Sequence, residues 1–227
     1  CDTQIQRHKA ERVKEALRGT WADEHLFALK QALQSWEHYQ GQIAECDRQI
    51  EQLLREGSGH DVPPGQPARK SRKGGVNAPV IPGLRDILTQ LCGGQDLTRL
   101  PAHTGYSVLQ VVSEVGTDLQ RWATEKHFTA WMGLAPGSHQ SGKRKGSVKR
   151  NRNRAGRLCC VSARSLARSK DIALGGFYRR MAARRGGLVA NIALARKLAA
   201  LFWRVMVKGD DYVEQGLRAA LDAVATI

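Results

Sequence analysis

Apolar residues between positions 22 and 56 recur in alternating steps of three and four: Leu26, Leu29, Leu33, Trp36, Ile43, Ile50 and Leu54. Gln40 and Asp47 occupy the two positions that complete the series. This is a heptad seam with two polar a positions, which cost stability and set register. No Pro interrupts it and the only interior Gly is Gly41. The pattern predicts one helix about 50 Å long at ~1.5 Å per residue, a coiled-coil-like arm over 21–56. From 57 to 80 the chain is Gly, Pro, Ser and basic residues with almost nothing to bury. That composition predicts a flexible linker.

A second unit, 81–227, reads as helical throughout. Residues 84–92 form a short apolar turn of helix, and 105–115 form another, ended by Gly116. The apolar stretch from Phe128 to Leu134 stops at Pro136, and a Gly-, Ser- and base-rich loop follows over 135–152. A helix resumes over 153–170, with Leu158, Cys159, Ser162 and Leu166 as its packed face. Residues 188–207 give a strong stripe of Leu188, Ile192, Ala195, Leu198, Phe202 and Val205,. This stretch contains Arg196, Lys197 and Arg204, so it predicts a buried amphipathic helix and not a membrane span. Aromatics are only 6% of the chain and β-branched runs are few, which argues against a sandwich or barrel. The fold class is therefore mainly all-α: a long helical arm, a linker, and a compact helical C-terminal domain with a basic loop.

Charge sharpens this picture. The 227 residues include 36 Lys and Arg against 21 Asp and Glu, a formal net charge of +15. The excess is focused: from Lys143 to Arg185 the chain carries one acid, Asp171, and the rest of the sequence is nearly neutral. A solubilising surface would intersperse the two signs. A focused excess predicts a polyanionic partner, DNA or RNA. At 100° per residue, Arg154, Arg157, Arg164 and Arg168 fall within about 80° of one another on a single helix face. The nucleic-acid-binding set is read as Lys143, Arg144, Lys145, Lys149, Arg150, Arg152, Arg154, Arg157, Arg164 and Arg168.

Other chemistries find little support. Five cysteines, Cys1, Cys46, Cys92, Cys159 and Cys160, form no CxxC, and they read as free thiols in a reducing compartment, the cytoplasm. Seven His residues are scattered without metal-ligand spacing, so no metal site is expected within this chain. No carboxylate cluster suggests a two-metal nuclease centre; Asp118 and Glu125 read equally well as helix-end charges. No phosphate-binding Gly motif occurs. The exception is the loop APGSHQSGKRKGSVKR, where Ser141-Gly142 is followed at once by Lys143, Arg144 and Lys145. A Ser hydroxyl needs a base, or cations that stabilise the charge developing at phosphorus. A Ser among guanidinium groups suits phosphoryl transfer to or from DNA, although such a pair is also an ordinary turn.

Several stretches resemble one family. They are EHLFALKQAL at 24–33, QIAECDRQIE at 42–51, EVGTDLQRWATEKHFTAWMGLAPGSHQSGK at 114–143, NRAGRLCCVSARSLARSKDIALGGFYRRM at 153–181 and KLAALFWRVMVKGDDYVEQG at 197–216. In this order they resemble the DEDD-type insertion-sequence transposases, the IS-one-ten family and its IS-eleven-eleven branch. The resemblance implies a recombinase guided by a structured RNA, with two catalytic parts. An N-terminal RuvC-like domain holds a DEDD tetrad that binds a divalent metal such as Mg. A C-terminal transposase domain, here 81–227, holds an essential serine. That serine falls on Ser141, and the basic residues after it fall on Lys143, Arg144, Lys149, Arg150 and Arg157. None of the tetrad can be placed, and residues 1–20, which open on Cys1, read as the connection from a missing N-terminal domain.

Three residues, at two places, depart from the family pattern. Lys143 stands where a second glycine usually follows the serine, and Ala102 and His103 stand where a helix-hairpin-helix-like turn usually has Gly and an aliphatic residue. A shift of register there would make Ser138 or Ser147 the nucleophile. The expectation is the C-terminal portion of a transposase that binds DNA and a guide RNA, supplies Ser141, and assembles with itself through the 22–56 arm. The alternatives are a non-catalytic basic helical fragment of a decayed element, or a coiled-coil assembly protein.

Overall fold

A computed structural model describes residues 7–16, 19, 22–59, 78–136, 139–141, 144–146, 151–169 and 173–209. The chain falls into two compact units, 1–48 and 49–227. The first contains α1 (Arg7–Ala16) and most of α2 (Asp23–Ser58). Asp23 and Glu24 lie in the first turn of α2 and Arg55 in its last, which complements the helix dipole at both ends,. Within α2, Arg55 donates to Glu51 at 2.7 and 2.9 Å and Gln52 to Glu56 at 2.8 Å, pairs four residues apart on one face. No residue of α2 is buried. Its seam residues Leu26, Leu29, Leu33, Trp36 and Ile43 are exposed. Most of the stretch expected to be a linker, 60–77, lies outside the described residues.

The second unit takes in the last turns of α2, then α3 (Leu84–Leu91), a 3-10 turn (Leu97–Arg99), α4 (Gly105–Val115) and α5 (Glu125–Trp131). A hairpin of β1 (His139–Ser141) and β2 (Arg144–Gly146) follows, then α6 (Arg154–Leu166), α7 (Ala173–Arg185) and α8 (Gly187–Lys208). Side-chain caps start three helices: Thr104 with Ser107 as a reciprocal box for α4, Thr124 for α5 and Asn153 for α6. Each satisfies an amide that the helix itself leaves open.

The core is built around α8, against which α5, α6 and α7 pack. Ala190, Ala195 and Ala199 are small enough for close approach, while Leu194, Leu198 and Phe202 fill the space between helices. Val108, Val111, Val112 and Val115 of α4 join the same core, as do Phe128 and Met132. Trp203 closes one side, its indole N–H donating to the Leu119 carbonyl at 3.1 Å. At the near end of this unit Leu54 of α2 packs against the core.

The architecture is mainly all-α, and it departs from the sequence reading at the hairpin and at the start of α8, among other places. The loop expected over 135–152 contains an antiparallel hairpin pairing His139 with Gly146, Gln140 with Lys145 and Ser141 with Arg144. Its six residues are polar, basic or Gly, so no apolar alternation marks them as strands. Leu188, the first residue of the stripe expected on α8, is 73% exposed. In the first turn of α8, Gly187, Leu188 and Val189 are all exposed, and burial begins at Ala190.

Candidate nucleic-acid interface

Ser141 is the last residue of β1, and the register leaves two residues, Gly142 and Lys143, between it and its partner Arg144. For Ser141, Arg144 and Lys145 only the backbone is described. Lys143, Lys149, Arg150, Ser138 and Ser147 lie outside the described residues. The structure therefore brings the Ser141 and Arg144 backbones together across a two-residue connection.

Both approaches to the hairpin are clamped at one place. Before it, Gly133 has φ of 72°, and a Cβ there would meet the Asn151 carbonyl oxygen at 2.8 Å. After it, a Cβ on Gly156 would meet the Met132 carbonyl oxygen at 2.2 Å. Asn153 accepts from the Gly156 amide at 2.8 Å and donates to the Trp131 carbonyl at 3.5 Å. The end of α5 thus touches the start of α6 backbone to backbone. The chain between them leaves and returns at one junction.

From that junction α6 carries the basic face. Arg154, Arg157, Arg164 and Arg168 are all exposed, while Ala155, Cys159, Ala163 and Leu166 are buried on the opposite side. Arg154, Arg157 and Arg164 share the face read from the sequence, but the helix expected over 153–170 ends at Leu166, so Arg168 lies in the turn beyond it, and Leu158 and Ser162 of the expected packed face are only half-buried. Arg152 differs: it is half-buried beside Gly133, and its Nε is buried without a hydrogen-bond partner. Burial sets it apart from the exposed guanidiniums of the set.

Other polar and titratable groups of this unit have structural work. Glu125 is held by Arg204 of α8, one carboxylate oxygen accepting at 2.8 Å from Nη2 and the other accepting from Nε. This hydrogen-bonded pair keeps the Glu125 carboxyl below its usual range,. Asp118 accepts from the Gln120 amide at 3.0 Å. Neither is placed as a general base. Burial pushes the Cys92 thiol up to about 11 and Cys159 up to about 12, and raises Cys160. These thiols stay protonated at neutral pH and are not nucleophiles. His103 is buried and desolvation lowers its pKa, while its Nδ1–H donates to the Pro101 carbonyl at 2.9 Å. Among the described residues no group of His, Cys, Asp and Glu is arranged to hold a metal ion. Among the same residues no helix is long and apolar enough to cross a membrane.

One feature escaped the sequence reading. Trp122 and Trp131 lie 5.0 Å apart by ring centroids, and the Arg121 guanidinium sits 3.9 Å above the Trp122 ring. The only signal in the sequence is that two Trp and an Arg fall within eleven residues of one another, and no helical period connects them.

A family model described as Transposase IS116/IS110/IS902 family matches residues 94–178. That stretch runs from the turn after α3 through α4, α5, the hairpin and α6 into α7. No curated protein and no solved structure matches the chain.

Proposed function

On the premise that residues 94–178 are a transposase domain of the IS116/IS110/IS902 family, we propose that this chain acts as the C-terminal portion of an insertion-sequence transposase. It binds DNA and a structured guide RNA, and it supplies Ser141 as the nucleophile for strand transfer. The observation that carries this reading is the position of Ser141. It stands opposite Arg144 at the end of a hairpin inside the family domain, and the helix that follows and the turn at its end expose Arg154, Arg157, Arg164 and Arg168.

In the proposed step the Ser141 hydroxyl oxygen attacks a DNA phosphorus. An Oγ–P bond forms, the bond from phosphorus to the leaving sugar oxygen breaks, and that oxygen takes up a proton as the hydroxyl gives one up. Lys143, Arg144, Lys149 and Arg150 offset the charge that develops on the phosphoryl oxygens. A sugar hydroxyl of the receiving strand then attacks the phosphoserine and restores Ser141. Divalent-metal chemistry is assigned to a RuvC-like domain, and no residue of this chain is proposed as its ligand. Self-association runs through the 22–56 arm, and the work on DNA is done in the cytoplasm. The second reading, a non-catalytic basic fragment, draws on Lys143 standing where the family has a second glycine.

The test joins the chain to a RuvC-like domain and looks for covalent protein–DNA adducts on denaturing gels. Ser141→Ala should abolish them and leave DNA binding within about 0.5 kcal/mol of wild type, as for a surface change that removes no structural contact. Adducts that persist in Ser141→Ala and vanish in Ser138→Ala or Ser147→Ala would move the nucleophile. Strong binding with no adducts in the wild type would leave the non-catalytic reading.

A further inference from the structure

Trp131 ends α5 with 44% of its surface exposed, a large apolar ring in a strongly basic neighbourhood. Its ring is not loose. Trp122 lies 5.0 Å from it at an interplanar angle of 52°, and Trp122 in turn packs edge-on against the fully buried Phe128 at 4.9 Å. The Arg121 guanidinium lies 3.9 Å from the Trp122 centroid and 5.8 Å from that of Trp131. It is pinned by a 2.7 Å hydrogen bond from Nη2 to the Val115 carbonyl. The backbone beneath Trp131 is the same junction that starts α6, where Asn153 donates to its carbonyl. Arg154 and Arg157 stand exposed on the first turns beyond. Of the acids nearby, Glu125 is occupied by Arg204.

We propose that Trp131, backed by Trp122 and Arg121, is a stacking platform for an unpaired nucleobase, with the phosphates of that single-stranded segment running toward Arg154 and Arg157. This rests on the nucleic-acid-binding part of the function proposed above and adds the strand state that the site selects. In a duplex both faces of a base are covered by its neighbours, so a protruding indole has nothing to stack on. An unpaired base offers a free π-face, and stacking on an aromatic side chain is the common device for holding single strands. The ring is held by its neighbours before the base arrives, so little side-chain freedom is lost on binding. The positive surroundings match a phosphate backbone and repel a cationic partner.

The experiment measures binding of the full chain to three labelled probes by fluorescence anisotropy: oligo(dT), oligo(U) and a blunt-ended DNA duplex. Trp131→Ala is expected to weaken binding to at least one single-stranded probe by about tenfold, the scale of one lost base stack. Duplex affinity should stay within about twofold, and Trp131→Phe should recover most of the loss. The slope of log K against log salt should not move, because no charge is removed. A loss confined to oligo(dT) identifies DNA as the source of the base, and a loss confined to oligo(U) identifies RNA. Equal weakening on single strands and duplex, or no weakening on either single strand, overturns the platform. If the wild-type chain binds none of the probes, the nucleic-acid reading itself fails. Should Trp131→Ala melt below the assay temperature, Trp131→Leu keeps apolar bulk without a ring and carries the same expectations.

Discussion

Ala102 has a positive φ, 60°, the single such value among described residues other than glycine. It lies in the turn between the 3-10 segment and α4. The structure keeps the left-handed backbone and puts a methyl on it. That conformation costs an L-residue roughly 1–2 kcal/mol. Gly would relieve it, at the expense of roughly 0.4–1 kcal/mol of added freedom in the unfolded chain. It would also lose part of a methyl contact, since Ala102 packs against the core. The terms nearly cancel for Gly and do not cancel for a β-branched residue, whose χ1 crowding makes positive φ far worse. Denaturant unfolding should therefore find Ala102→Gly within about 0.5 kcal/mol of wild type or above it. Ala102→Val should lose roughly 2 kcal/mol, within the range for a strained backbone position. A Val variant as stable as wild type would mean that the turn relaxes to negative φ. Gly133 and Gly156 follow opposite logic at the hairpin junction. There backbone oxygens, and not dihedral preference alone, exclude a Cβ.

Among the elements, α2 was the most legible from sequence as a helix, because its 3.5-residue period reads as helical whether the seam packs on its own domain or on another helix. The same seam leaves Leu33 and Ile43 exposed in the single chain, and a stripe of exposed large apolar residues is what a coiled-coil partner covers. The full chain is expected to sediment as a dimer. Leu33→Asp with Ile43→Asp, one a and one d position, would bury unpaired charges in that seam and should give a monomer by analytical ultracentrifugation. A monomeric wild type would refute the association. Helix α8 was legible only in part. A single stripe gives Ala195, Leu198, Phe202 and Val205, but α5, α6 and α7 cover more than one side, so Asn191, Ala199 and Trp203 are buried too. The hairpin could not be read at all from apolar alternation, since its strands present none; pairing across a two-residue connection defines it. The arginine face of α6 was legible because the 100° step alone places its residues, whereas the burial of Arg152 depends on Gly133 packing beside it. The tilted Trp122–Trp131 ring contact joins a segment between helices to the end of α5, and such contacts have no period to detect.

At the scale of the whole molecule, the decisive property is that the charge is concentrated and not merely large. Nearly all of the +15 lies between 143 and 185, and in that stretch α6 presents Arg154, Arg157 and Arg164 to solvent, with Arg168 exposed in the turn after it. Counterion release makes the salt dependence of binding a count of phosphate contacts. Each contact contributes about 0.9 to the slope of log K against log salt on duplex DNA and about 0.7 on single strands. Changing Arg154, Arg157, Arg164 and Arg168 together to Gln should thus flatten the duplex slope by up to about 3.6 and weaken binding at every salt concentration. The loop set of Lys143, Arg144, Lys145, Lys149 and Arg150 should behave alike if the hairpin lies against the same backbone. Arg12, Lys14 and Lys30 are exposed outside this stretch. The proposed interface does not include these three, so changing them to Gln should leave the slope almost unmoved. The slopes are read from anisotropy titrations of a labelled duplex at several salt concentrations. Equal flattening per charge from Arg12, Lys14 and Lys30 would show that attraction is diffuse over the molecule. An unmoved slope in the α6 variant would remove this helix from the interface.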